Sequence, residues 1–244
     1  MKAMIFAAGY GKRLLPLTRK TPKPLVRVQN RAILDWILEQ LARFGIRQVI
    51  INTHYLAETI EQHIKTIDLP LSISLSHEPQ ILGTGGGLAQ TIDFWDEHAF
   101  YLCNSDILCT ADLNHFFEAH QARGSLATLA INHQASASML LIDEAMSLVG
   151  IRRQDKALVL KEPKGMISAV GFCGFHAVSP AIFQWFDSPV AFSIIDEYLK
   201  IIRQGGDIAV WDIKDAYWID IGSREGLENA NRHFPGFKDL QASS

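Results

Sequence analysis

Hydrophobic residues fall along this chain in two alternating rhythms. Residues 3–8, A-M-I-F-A-A, are continuously apolar and stop at Gly9, as a buried parallel strand would. Ile33, Leu34, Ile37, Leu38, Leu41 and Phe44 then recur on one helical face, with Gly45 where a C-terminal cap belongs. Residues 48–53 read as a second buried strand, 55–67 as another amphipathic helix, 71–76 as a third strand and 99–106 as a fourth with a polar end. A second glycine-rich loop, Gly83 to Gly87, leads into a helix-like stretch before that fourth strand. Strand and helix in alternation predict a parallel sheet with crossover helices.

Beyond residue 124 the rhythm changes. Strand candidates crowd together at 125–133, 137–143, 147–152, 157–162 and 170–178, so some must pair antiparallel. Ser179 with Pro180 marks a helical start, and Gly205 and Gly206 end a helix over 194–204. The predicted fold class is α/β: a Rossmann-like mixed, mainly parallel sheet flanked by helices, with added antiparallel strands in the C-terminal half. One domain is expected over 1–235, followed by a polar tail over 236–244.

One segment obeys neither rhythm. Between Gly9 and Val28, Pro16, Pro22 and Pro24 exclude a continuous helix. A loop of about 20 residues in a compact domain is usually functional or disordered. Charge singles out the same region. Residues 1–34 carry Lys2, Lys12, Arg13, Arg19, Lys20, Lys23, Arg27 and Arg31 and no acidic residue, within a chain of net charge −3. The overall balance argues against nucleic acid as a partner, whereas the local excess predicts an anion site.

Composition removes other classes. The chain has 244 residues, 48% hydrophobic and 20% charged, ordinary for a globular protein. No apolar run approaches the ~18 residues that span a bilayer. The run at 3–8 is too short for a secretory signal, so a cytoplasmic protein with no membrane partner is expected. Cys103, Cys109 and Cys173 form no C-x-x-C pair and are expected in the core. His115 and His120 are five apart, on different helix faces, and there is no H-E-x-x-H metal motif.

Two phosphate motifs fail. Gly9 and Gly11 are followed by Leu14, so the dinucleotide fingerprint lacks its third glycine, and no G-x-x-x-x-G-K-[ST] run occurs. What remains is a strand, then A-A-G-Y-G-K-R, with Lys23 ten residues after Arg13. Glycines let backbone N–H groups approach an anion, and a guanidinium and an ammonium can neutralise it.

These residues resemble a known family. The stretch from Phe6 to Val26 is similar to the sugar 1-phosphate nucleotidyltransferase signature, L-A-A-G-x-G-x-R-x-x-P-L-T followed by P-K-P-L, with Phe6 in place of the usual Leu. E-P-Q-I-L-G-T-G-G-G at 78–87, N-S-D at 104–106 and W-I-D-I-G at 218–222 resemble its later motifs, so the likeness covers about residues 2–233. A short bacterial group that includes N-acetylmuramate 1-phosphate uridylyltransferase is the nearest match. The family's frequent C-terminal extra domain is not expected here.

The resemblance implies a reaction and a set of roles. A sugar 1-phosphate and an NTP would give a nucleotide sugar and pyrophosphate. Arg13 and Lys23 would be catalytic. Ala8, Gly9, Gly11, Arg13, Thr84, Gly86 and Asn104 would bind nucleotide, Glu162 and Gly174 the sugar, and Asp106 and Asp220 a Mg²⁺ ion. UTP with N-acetylmuramate 1-phosphate is the expected pair, in a monomer or homodimer. The alternatives are GTP with mannose or heptose 1-phosphate, CTP with phosphocholine, and a non-catalytic nucleotide-sugar sensor. Two departures concern the acceptor: Phe172 stands where many members have a sugar-binding Asn, and E-K-P is replaced by K-E-P-K, leaving Lys161 and Lys164 both open as the phosphate lysine.

Overall fold

A computed structural model describes residues 1–134, 138–186 and 191–237. The chain divides into two compact units, Met1–Leu82 with Leu102–Asn114 and Ala216–Ser244, and Gly83–Tyr101 with His115–Asp215. From residue 238 onward, the expected polar tail lies outside the described residues.

The first unit opens with β1 (Lys2–Phe6), the hairpin pair β2 (Arg27–Val28) and β3 (Arg31–Ala32), and α1 (Ile33–Arg43). Then come β4 (Gln48–Thr53), α2 (Ala57–Ile64), β5 (Ser72–His77), the end of β6 (Phe100–Asn104) and β7 (Ile107–Cys109). Its sheet runs β6, β1, β4, β5, and the β1–β4 and β4–β5 pairs are parallel. β1 and β4 are nearly all apolar because both their faces are covered. β5 alternates serine with apolar residues and is exposed, as an edge strand can be. The face of α1 predicted from spacing is the buried one, and Gly45 adopts a left-handed φ of 79° just past its end.

The second unit holds α3 (Gly83–Ala89), most of α4 (Leu113–Arg123), β8 (Ala127–Asn132), β9 (Ser138–Ile142), β10 (Leu148–Arg153), β11 (Lys156–Val159), β12 (Ser168–Val178), α5 (Ile194–Arg203) and β13 (Ile208–Asp212). Its strands run β11, β10, β9, β12, β8, β13. All these pairs are antiparallel except β8–β13. The added antiparallel strands therefore stand where the sequence places them. The chain returns to the first unit with β14 (Trp218–Asp220) and α6 (Arg224–His233), which Ser223 caps by accepting the Gly226 N–H at 3.0 Å.

Two expectations change. The glycine run at 83–87 is not a loop before a helix but the helix itself. The reason is contact: a Cβ on Gly85 would stand 2.1 Å from the Phe192 ring, so only glycine lets α3 lie this close. Phe237, inside the stretch expected as tail, is 1% exposed and packs edge-on against Phe234 and Trp36. The three cysteines are buried, as expected.

Candidate active site

The basic loop is held by short-range bonds of its own and by the Tyr55 hydroxyl. Three single 3-10 turns, Lys12–Leu14, Leu17–Arg19 and Lys23–Leu25, replace the helix that the prolines forbid. Gly11 takes a left-handed φ of 63°, and a Cβ there would lie 2.9 Å from the Thr18 methyl. The Thr18 hydroxyl donates to the Gly11 carbonyl at 2.9 Å, and the Tyr55 hydroxyl donates to the Thr18 and Arg19 carbonyls at 3.1 Å. Arg13 and Lys23 are thereby brought into one open cleft of about 340 Å³, lined also by Tyr10, Gly11, Lys12 and Gly222. Ala8 is buried at the loop's start, and Gly9 beside it has open space where a side chain would be.

Two carboxylates complete the cleft. Asp106 follows β6 in the turn to β7, and Asp220 ends β14. The β7–β14 ladder pairs Asp220 with Ile107, and the Ile221 N–H donates to the Asp106 carbonyl at 2.9 Å. That register fixes the two acids side by side from distant parts of the chain. Lys23 Nζ contacts the Asp106 carboxylate directly, while Arg13 stands 3.8 Å from both Asp106 and Asp220. Gly222 donates its N–H to Asp220 Oδ1 at 2.6 Å, and a Cβ on it would meet Arg13 Nη2 at 2.4 Å. Gly222 was not singled out by the sequence, although it closes the W-I-D-I-G motif.

Charge decides what the cleft can hold. Lys12, Arg13 and Lys23 face two carboxylates, so the cleft attracts anions. Arg13 is 64% exposed, so its guanidinium is available to a ligand. Among the described residues no cluster of three or more His, Cys, Asp or Glu could hold a metal by itself. Two carboxylates nevertheless fit Mg²⁺, which takes one or two from protein and completes its octahedron with phosphate and water oxygens.

The remaining expected residues lie elsewhere. Asn104 is half-buried at the end of β6. Thr84 and Gly86 belong to the second unit, where Thr84 Oγ1 accepts the Ile194 N–H at 3.0 Å and the Gly86 N–H points at the Phe192 carbonyl at 3.4 Å. Gly174 takes a φ of 81° inside β12, where the pairing with β8 shifts register, so glycine is required there by the strand. Glu162 and Lys164 are exposed, whereas Lys161 donates to Asp207 at 3.1 Å.

A model of the nucleotidyl transferase family matches residues 2–139, more than half of the chain. The chain belongs to this family. Mannose-1-phosphate guanylyltransferase catalytic subunit beta of Danio rerio is 31% identical over 230 residues, covering 91% of this chain and 61% of that one. Its counterpart in Drosophila melanogaster is 31% identical over 228 residues, covering 91% and 59%. The chain thus spans about three fifths of the curated relatives it matches. Among solved structures, HddC from Yersinia pseudotuberculosis superposes with a TM-score of 0.78 at 23% identity, covering 96% of this chain and 99% of that one. UDP-glucose pyrophosphorylase from Acinetobacter baumanii gives 0.78 at 18% identity, covering 99% and 95%. These likenesses establish the nucleotide-diphospho-sugar transferase fold. Among the described residues no helix is long and apolar enough to cross a membrane.

Proposed function

We propose that this nucleotidyl transferase joins a nucleoside triphosphate to a sugar 1-phosphate. The observation that carries the reading is the meeting of Arg13, Lys23, Asp106 and Asp220 around one anion-attracting cleft. A phosphate oxygen of the sugar attacks the α-phosphorus in line, the α–β phosphoanhydride bond breaks, and pyrophosphate leaves with the bond's electron pair. No protein nucleophile is needed, so positioning and charge neutralisation do the catalysis.

The residues divide that task. Arg13, exposed and forked, grips the departing β,γ-phosphates through paired N–H donors. Lys23, sheltered against Asp106, neutralises the α-phosphate and the incoming phosphate. Gly9, with open space where a side chain would be, and its neighbours Ala8 and Gly11 would bring backbone N–H groups of the same loop to the triphosphate. Asp106 and Asp220 would hold Mg²⁺, which supplies positive charge against the crowded phosphates.

Two pairings compete on separate observations. The names of the relatives matched over 91% of the chain favour GTP with mannose 1-phosphate. Phe172, in place of the expected sugar-binding Asn, favours UTP with N-acetylmuramate 1-phosphate. The test is pyrophosphate release with Mg²⁺, in a matrix of UTP, GTP, CTP and dTTP against mannose, heptose, N-acetylglucosamine and N-acetylmuramate 1-phosphates and phosphocholine. Turnover of any sugar 1-phosphate sustains the reading and names the pair. Silence across the matrix with nucleotide still bound would indicate a nucleotide-sugar sensor.

A further inference from the structure

Three neighbouring parallel strands end in a buried polar chain. Phe6 of β1 lies beside Asn52 of β4, and Thr53 lies beside His77 of β5. At these ends, Asn52 Oδ1 accepts the Ala7 N–H at 2.7 Å, and Asn52 Nδ2 donates to Glu78 Oε1 at 2.7 Å. Glu78 Oε2 accepts the Leu82 N–H at 2.9 Å. The backbone of Glu78 is tied as well: its N–H donates to the Thr53 carbonyl at 2.8 Å, and its own carbonyl lies 2.7 Å from His54 Nδ1. A carbonyl only accepts, so His54 donates from Nδ1, and its Nε2 lies 3.3 Å from the Tyr10 hydroxyl.

Burial makes this chain selective about chemistry. Asn52 is 2% exposed and Glu78 is fully buried, so each polar atom must find its partner inside the protein. Asn52 turns its amide oxygen to a backbone N–H on one side and its amide nitrogen to a carboxylate on the other. Glu78 offers two acceptors to two donors. One end of the polar chain is Ala7, which begins the A-A-G-Y-G-K-R loop of the anion cleft, and the other is Leu82, the last residue before the glycine run for which the family resemblance implies nucleotide contacts at Thr84 and Gly86. Tyr10, which lines the cleft, is reached by the branch through His54.

We infer that Asn52 and Glu78 are positioning residues for the nucleotide, fixing the first peptide of the phosphate loop and the last of the 78–82 segment from behind. The inference rests on the nucleotidyltransferase reading. Neither side chain lies in the cleft lining, so both act through the backbone they hold. Small misplacements of such groups are costly in a reaction run by positioning.

An exchange of side chains tests this. Asn52→Asp sets two carboxyl groups against each other, and Glu78→Gln leaves one acceptor oxygen for two donors. In the double variant every bond is remade: the introduced carboxylate accepts from the Ala7 N–H and from the introduced amide, whose oxygen accepts from the Leu82 N–H. With all variants folded by circular dichroism, UTP and GTP dissociation constants, separate KM values for nucleotide and sugar 1-phosphate, and hydrogen exchange at Ala7 and Leu82 are measured. Each single variant should weaken nucleotide binding about tenfold or more with faster exchange at both amides, while the KM for sugar 1-phosphate changes by less than about threefold. The double variant should return to near wild-type values. Folded single variants that melt lower yet bind nucleotide normally, or a double variant without recovery, overturn the inference alone. Wild-type protein that binds neither nucleotide overturns the functional reading with it.

Discussion

Lys23 Nζ rests against the Asp106 carboxylate across 83 residues of sequence, and both side chains are largely withdrawn from water, at 15% and 13% exposure. An ammonium so placed is preorganised for charge that develops in the reaction. Lys23→Met should therefore lower kcat by about 10² to 10³-fold, as loss of a preorganised donor does. Steady-state pyrophosphate release measures it, and a loss below about fivefold would remove Lys23 from the catalytic role.

The nearness of Gly222 to Arg13 gives a second test. A methyl group on Gly222 would lie 2.4 Å from Arg13 Nη2 and 2.7 Å from Asp220 Oδ1, so Gly222→Ala must push the guanidinium, and with it the Asp220 carboxylate, off its place. Because Arg13 is 64% exposed, the displaced side chain can move into solvent at little cost in stability. We expect activity to fall by about tenfold or more with Tm nearly unchanged. A large fall in Tm with normal specific activity of the folded fraction would make Gly222 a purely structural glycine.

The sequence disclosed structure wherever a local pattern was long enough. Continuous apolar runs made β1 and β4 legible, and the 3.6-residue period made α1 legible down to Gly45. β7 and β14 were not read, because three residues carry no period, yet their ladder is what sets Asp106 beside Asp220. The glycines at 83–87 misled for a different reason. Glycine serves close packing as well as open loops, and only the position of Phe192 separates the two uses. The pairing of Asn52 with Glu78 is not legible in the sequence, since a polar residue at or just past a strand end looks like turn chemistry until its burial is known, even where, as for Glu78, it opens a family-like motif.

Phe237 carries the third prediction. It is 1% exposed, stands 6.0 Å from the Trp36 ring and 5.3 Å from Phe234, and its carbonyl accepts from Arg43. Phe237→Ala should cost about 3 to 5 kcal/mol of unfolding free energy, the range for deleting a buried aromatic ring, and Phe237→Leu should recover most of it. Urea titration measures both. A cost under about 1 kcal/mol would mean that this stretch behaves as a solvated tail.

Stability should also fall in mild acid through two buried histidines. His120 and His176 are 3% and 1% exposed, and burial pushes them down to about 4 and about 3 from an ordinary 6.5. Each has a neutral partner, His120 at 2.9 Å from the Thr128 hydroxyl and His176 at 2.9 Å from that of Tyr198, so neither gains a counter-charge on protonation from these contacts. Below pH 6.5 the unfolded chain binds protons that the folded protein refuses. Stability is therefore full above that pH and is lost as pH falls toward 4, by about 1.4 kcal/mol per pH unit for each histidine. Asp143 is held below the usual carboxylate range, although desolvation by burial opposes this, because the N–H groups of Lys164, Ser147 and Ala145 outweigh that effect; it adds a loss of the same sign only at lower pH. Urea titrations at pH 7, 6 and 5 should show the decline. In a His120→Gln, His176→Gln double variant the protein should be weaker at pH 7 but nearly flat across that range, and a wild-type profile already flat from pH 7 to 5 would refute the assignment.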